Sequence, residues 1–244
     1  MMAYNYLNSE DVNSIEAEIT GDAFAFNAAL GNVNDDVLAN SKYGDQHRII
    51  GVGSKKWNYG NDKWATTVSA FFEYARGGRF NYTYGGDING DGSNLNDLLY
   101  IPTSSEIGEM QFSEPGQGAA FDAYIAQDDY LNGRRGQYAE RYGAISPWRG
   151  RLDLKILQDY NIKINENRTN TLQLSIDVLN VGNMINSDWG VVQQPNNVQP
   201  IGVTVDPSTS TPTYTFNPDL KETFGYDTSL ASRWQAQFGL RYIF

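Results

Sequence analysis

Residues 232–244 read SRWQAQFGLRYIF. Trp234, Ala236, Phe238, Leu240, Tyr242 and Phe244 hold the even positions, and Arg233, Gln235, Gln237, Gly239, Arg241 and Ile243 the odd ones. Side chains on a strand alternate faces, so one apolar and one largely polar row at a period of two predicts a two-faced β-strand. The pattern recurs upstream. Residues 64–74 set Trp64, Val68, Ala70, Phe72 and Tyr74 against Thr67, Ser69, Phe71 and Glu73. Residues 148–164 set Leu152, Leu154, Ile156, Tyr160, Ile162 and Ile164 against Arg151, Asp153, Lys155, Asp159, Asn161 and Lys163, with Leu157 the exception. Residues 171–181 set Leu172, Leu174, Ile176 and Val178 against Gln173, Ser175 and Asp177. The shorter 3–7 and the more blurred 46–58 complete six strand-like segments. Polar turns are expected at 59–63 and 165–170. Gly77 and Gly78 are expected to mark a bend, with extended chain continuing through 79–84.

The remaining segments, 8–44, 85–146 and 182–230, are long and polar. The first is read as a loop with room for a short helix, and the third holds two short extended pieces, 201–205 and 213–216. Connections of this length are uncommon in a compact domain but ordinary on the outer side of a membrane barrel. Strands of this length also fit an oblique bilayer crossing of roughly 9–11 residues. The expected fold class is therefore all-β: an antiparallel up-and-down transmembrane β-barrel segment of about six strands, with long extracellular loops and short periplasmic turns. Trp57, Tyr59 and Trp64 flank one short turn and Tyr242 and Phe244 end on the same side, where rings with polar tips favour a membrane interface.

Composition narrows the classes. The chain has 244 residues, a net charge of -11 and 16 Tyr, 11 Phe and 5 Trp, too many aromatics for disorder. No apolar run reaches the roughly 18 residues of a transmembrane helix, and a mean hydropathy of -0.51 leaves a barrel open, because alternating strands average to polar. The absence of cysteine removes disulfides and thiolate chemistry, and the acidic balance disfavours nucleic acid. His47, the single histidine, excludes a multi-histidine metal site within the chain and is expected at a strand end or facing the lumen. Asp35-Asp36 and Asp128-Asp129 read as solvated loop acids rather than the spaced carboxylates of a glycosidase. Arg134-Arg135 and Arg149-Gly150-Arg151 read as loop or lumen charges. No enzyme is expected. Residues 1–11 show no basic-then-apolar leader, and 3–7 read as a strand already under way, so the chain is expected to be the C-terminal piece of a longer one.

Two stretches carry candidate chemistry. Asp87, Asn89, Asp91 and Ser93, with Gly92 between the last two, match the first half of an EF-hand-like loop, whose hard oxygen donors suit calcium. The second half departs: Leu98 stands where a bidentate acid is expected, and Asp97, one residue earlier, serves only with altered loop geometry. The alternative is a Gly/Asn/Asp-rich turn. Tyr124, Tyr130, Tyr138, Tyr142 and Trp189 are candidate loop aromatics for stacking on sugars or holding a partner, and equally suit loop packing.

In order along the chain come YGDQHR (43–48), DINGDGSNLNDLLYIP (87–102), RLDLK (151–155), LSIDVLNVGN (174–183) with SDWG (187–190), and the terminal FGLRYIF. Together they resemble the C-terminal part of a SusC-like (RagA-like) TonB-dependent outer-membrane receptor. Gln237, Gly239, Tyr242 and Phe244 resemble the C-terminal assembly signal read by the barrel assembly machinery. The resemblance implies a barrel of about 22 strands with a plug, in the outer membrane of a Gram-negative bacterium. It further implies uptake of large oligosaccharides or peptides under a SusD-like surface lipoprotein, powered through TonB. Neither plug nor TonB-engaging segment is recognisable here. Two other readings stand beside it: a soluble carbohydrate-binding β-sandwich with a structural calcium, and a smaller complete barrel with strands hidden in the long connections.

Overall fold

The computed structural model describes residues 1–14, 17–43 and 46–244. Gly44 and Asp45 of the 43–48 motif, and Ile15 and Glu16 of the first long connection, lie outside the described residues. The fold is predominantly β and antiparallel, dominated by one six-stranded sheet. Its strands are β1 (Met2–Tyr6), β2 (His47–Tyr59), β3 (Trp64–Ala75), β4 (Arg149–Asn165), β5 (Arg168–Leu179) and β6 (Gln235–Ile243). Each pairs with the next in chain order, so the sheet is a meander. It does not close: β1 and β6 form its two edges.

Register follows the alternation. Across one row lie Tyr59, Trp64, Tyr160, Leu172 and Tyr242; across another, Lys55, Val68, Ile156, Ile176 and Phe238. The short turns at 60–63 and 166–167 and the chain end lie at one end of the sheet, and all three long connections at the other. Gly60, Asn61 and Asp62 supply the left-handed backbone that so tight a hairpin demands. The second turn is tighter than the 165–170 expected, because Asn165 already pairs with Arg168.

The strand pattern does not continue through 79–84. β3 stops at Ala75, and Arg79–Phe80 pairs instead with Ala144–Ile145. Gly77 sets the break: its amide donates to the Pro147 carbonyl, and a Cβ there would come within 2.5 Å of the Ser146 Cβ.

The largest departure from expectation is in the connections, which fold. The buried hydrophobic core lies in them and not on the sheet. Helix Gln117–Gln127 buries Phe121, Tyr124 and Ile125, one stripe at helical spacing. These pack with Leu99, Ile101, Leu131 and Tyr82 from the second connection and Ile201 and Phe216 from the third. Ile201–Asp206 and Thr211–Phe216, the two extended pieces, form a hairpin. Gly86, at φ +146, runs so close to the Val203 carbonyl that a Cβ would overlap it. The first connection contains the expected short helix, Thr20–Ala25. It is fastened by Arg141, which is buried and donates to the carbonyls of Asp11, Val12 and Val37 and to Asn27 Oδ1. The three connections thus make a packed cap over one end of the sheet.

Candidate functional site

The sheet has two chemically opposite faces. Every ion pair between its described residues lies on the polar face: Arg48–Glu73 (2.6 Å), Lys56–Asp159 (3.4 Å), Arg151–Asp153 (2.6 Å) and Lys155–Asp177 (2.6 Å). Gln173 donates to Asp159 there, and Ser54 and Ser69 bond each other. The opposite face carries Phe72, Leu152, Leu154, Ile156, Ile176, Leu174, Phe238 and Leu240. Among the described residues no second sheet of comparable size packs on it; the other sheets there have two strands each. Phe238 and Leu240 are 71% and 72% exposed.

Aromatic rings border that apolar face at both ends. At the turn end stand Trp57, Tyr59, Trp64, Tyr160, Tyr242 and Phe244, with Trp64 on Tyr160 (4.6 Å) and Tyr242 on Phe244 (6.0 Å). At the cap end Tyr4, Tyr6, His47, Tyr74 and Trp148 form a second cluster, with Tyr74 and Trp148 stacked at 4.8 Å. His47 therefore does not face the polar side. It pairs with Tyr6 across the strands, bonds the Tyr4 hydroxyl at 2.8 Å and stacks on Trp148. Among the described residues of the apolar face there is one lysine, Lys55, opposite Val68 and exposed. Thr66 and Gln158, near the turn end, are satisfied with the Tyr59 hydroxyl. The assembly-signal residues divide between the faces: Tyr242 and Phe244 prolong the aromatic row, while Gln237 and Gly239 face the polar side, Gly239 opposite Ser175.

The loop aromatics separate into two groups. Tyr124 is 1% exposed and packs on Phe216, and Tyr142 is buried with its backbone amide held by Asn81. Of the two alternatives, loop packing describes the placement of these two side chains. Tyr130 is partly buried, stacks on Tyr82 and takes the Glu140 amide on its hydroxyl. Burial pushes the hydroxyls of Tyr124, Tyr130 and Tyr142 up from their ordinary value. Tyr138 and Trp189 remain exposed. One acid of the 128–129 pair is corrected: Asp129 is exposed as expected, but Asp128 is buried, caps helix Asp129–Gly133 through Leu131 N, and accepts from Tyr82 and Thr223. A cleft of about 590 Å³, unanticipated from sequence, opens between sheet and cap, with Arg76, Phe80, Asp129, Tyr130, Trp148 and Phe224 among its walls.

In the Asp87–Asp97 loop the carboxylates organise backbone. Asp87 accepts from the amides of Gly90, Asp91 and Gly92, Asp91 from Ser93, and Asp97 from Ile88. Ser93 is occupied by Leu95 N and the Ala25 carbonyl, and Leu98 is buried. Among the described residues no three acidic or histidine side chains form a ready metal cluster, and no helix is long and apolar enough to cross a membrane. No protein family, curated protein or solved structure matches the chain.

Proposed function

We propose that the chain is the C-terminal barrel segment of a SusC-like TonB-dependent outer-membrane transporter. The observation that carries this reading is the sheet itself: a meander with its ion pairs on one face, and on the other a bare apolar band bordered at both ends by aromatic rings. Ten steps from Trp64 to Tyr74 at roughly 3.3 Å each cover roughly 33 Å of strand. At the usual tilt of outer-membrane strands this gives about 25 Å of height, the thickness of their apolar band. The ion-paired face then lines a wet lumen, the 60–63 and 166–167 turns are periplasmic, and the cap is extracellular. Open edges are untenable in lipid, so further strands complete the barrel.

On this reading the chain forms part of the wall and outer mouth of an importer of oligosaccharides or peptides. A SusD-like lipoprotein meets the cap, and TonB acts through a plug outside these residues. It does no covalent chemistry. The bare apolar face favours this over the carbohydrate-binding sandwich, whose sheet would need a second one packed on it.

Fractionation of a Gram-negative host expressing the chain with its full reading frame tests the proposal. The protein should band with outer membranes, require detergent for extraction, and expose residues of 85–146 to protease on intact cells. Recovery of the chain as a detergent-free soluble monomer would overturn the reading.

A further inference from the structure

β3 stops at Ala75, and the next residue, Arg76, is held at the rim of the sheet by its amide, which donates to the His47 carbonyl at 2.8 Å. Arg76 lines the cleft of about 590 Å³ between sheet and cap. Its Nε is buried without a hydrogen-bond partner, and none of the ion pairs among the described residues includes it. A guanidinium is a permanent cation with five donors. One of those donors left buried and unpaired beside a cleft asks for an acceptor from outside the protein.

Two acids share the walls with Arg76, and they differ. Asp128 is buried and already accepts from Leu131 N, Tyr82 and Thr223. Asp129 is exposed and belongs to none of the ion pairs among the described residues. The cleft thus presents one positive and one negative charge, both unpaired, beside the rings of Phe80, Trp148 and Phe224. A simple anion would be drawn to Arg76 but repelled by Asp129, whereas a zwitterion answers both charges. Aromatic faces favour the cationic half further.

Position narrows the occupant. Trp148 belongs to the cleft and also to the ring cluster at the cap end of the apolar face, where it stacks on Tyr74 at 4.8 Å. The charged cleft therefore adjoins the apolar band, and a single amphiphile matches both surfaces. We propose that the cleft is a headgroup site for a zwitterionic phospholipid, with phosphate on Arg76, ammonium on Asp129 and acyl chains along the apolar face. The assignment rests on the reading of that face as lipid-facing. The planar guanidinium offers parallel N–H groups that suit two phosphate oxygens. The bound lipid would seal the seam where β3 ends and the cap begins.

The full chain, delipidated in maltoside micelles, is titrated with phosphatidylethanolamine and with phosphatidylglycerol of the same acyl chains, and bound lipid is counted by native mass spectrometry. Phosphatidylethanolamine should be retained about tenfold more tightly than phosphatidylglycerol, which lacks the ammonium. Arg76→Gln should weaken both lipids by about tenfold, through the shared phosphate. Asp129→Asn should weaken phosphatidylethanolamine alone, down to the level of phosphatidylglycerol. Asp206→Asn, in a turn of the third connection, should change neither. The preference between the two lipids is read on the unsubstituted chain and stands if a variant fails to fold. Free phosphoethanolamine at about 10 mM lacks the acyl chains and should not displace the lipid; displacement would assign the cleft to a soluble zwitterion and overturn the lipid. Equal retention of the two lipids, or retention unchanged in both cleft variants, overturns the proposal as well. The transport reading fails separately, on recovery of a detergent-free soluble monomer, while an outer-membrane protein without headgroup preference sinks this site alone.

Discussion

Tyr82, Asp128 and Thr223 form a node in which the residue scale decides the stability of the cap. Tyr82 is 1% exposed, and its hydroxyl donates to Asp128 Oδ2 at 3.1 Å, where Thr223 Oγ1 also donates at 2.6 Å. Burial, then the neighbouring Tyr124 and Asp128, push the Tyr82 hydroxyl well above its ordinary 10.0. The fold therefore favours the neutral phenol. That contribution is fully present below pH about 10, the value of the unfolded chain, and is lost as pH rises from there toward the folded value. The cap should unfold cooperatively in strong alkali, with tyrosinate absorbance and protease sensitivity rising together. Tyr82→Phe should cost about 1 kcal/mol at neutral pH and flatten the alkaline loss. An alkaline profile unchanged by this substitution would remove Tyr82 from the account. Little of this node was legible beforehand: side-by-side acids at 128 and 129 look solvated because a sequence displays charge and not burial.

At the scale of elements, the strands were legible and the cap was not. Alternation is a local signal: most residues of β3, β4, β5 and β6 declare their face by their own polarity, Phe71, Leu157, Thr66 and Gln158 being exceptions, and cross-strand pairing then aligns like with like. Helix Gln117–Gln127 carries no such contrast along its length, with Gly118, Ala119 and Ala120 at its start and polar residues between its buried positions. Its one clear signal was the i, i+3, i+4 set of Phe121, Tyr124 and Ile125. A capping box at Thr103 and Glu106 opens the short helix Ser104–Ile107. The two faces yield a matched test. Ile176 lies midway along the apolar face, whereas Gln173, three residues away on β5, lies on the polar face beside Asp159. Ile176→Arg should cost about 2–4 kcal/mol of stability in a bilayer, read as lost outer-membrane assembly. Gln173→Arg keeps a donor toward Asp159 and should stay within about 0.5 kcal/mol of the parent. Equal tolerance of both would mean that the apolar face does not meet lipid.

For the whole molecule, the decisive feature is that the sheet has edges. β1 and β6 each pair on one side only, so each presents outward amides and carbonyls to whatever lies beside it. In water those groups would be hydrated, but in hydrocarbon each unpaired group costs several kcal/mol. On the proposed transport reading, the sheet therefore needs neighbouring strands at both edges. Hydrogen exchange separates the cases. With the chain alone in detergent, amides of β3 and β4, paired on both sides, should exchange slowly, while outward amides of β6 should exchange at rates near those of an unpaired strand. In the product of the full reading frame, folded in the outer membrane, the same β6 amides should gain protection comparable to β4. Protection of β6 in the isolated chain would instead mean that a second copy covers the edge, since its own β1 lies at the far side of the sheet. Without protection in either sample, the strand has no neighbour at all. The barrel would then be abandoned in favour of a free-standing sheet whose apolar face is covered by another protein.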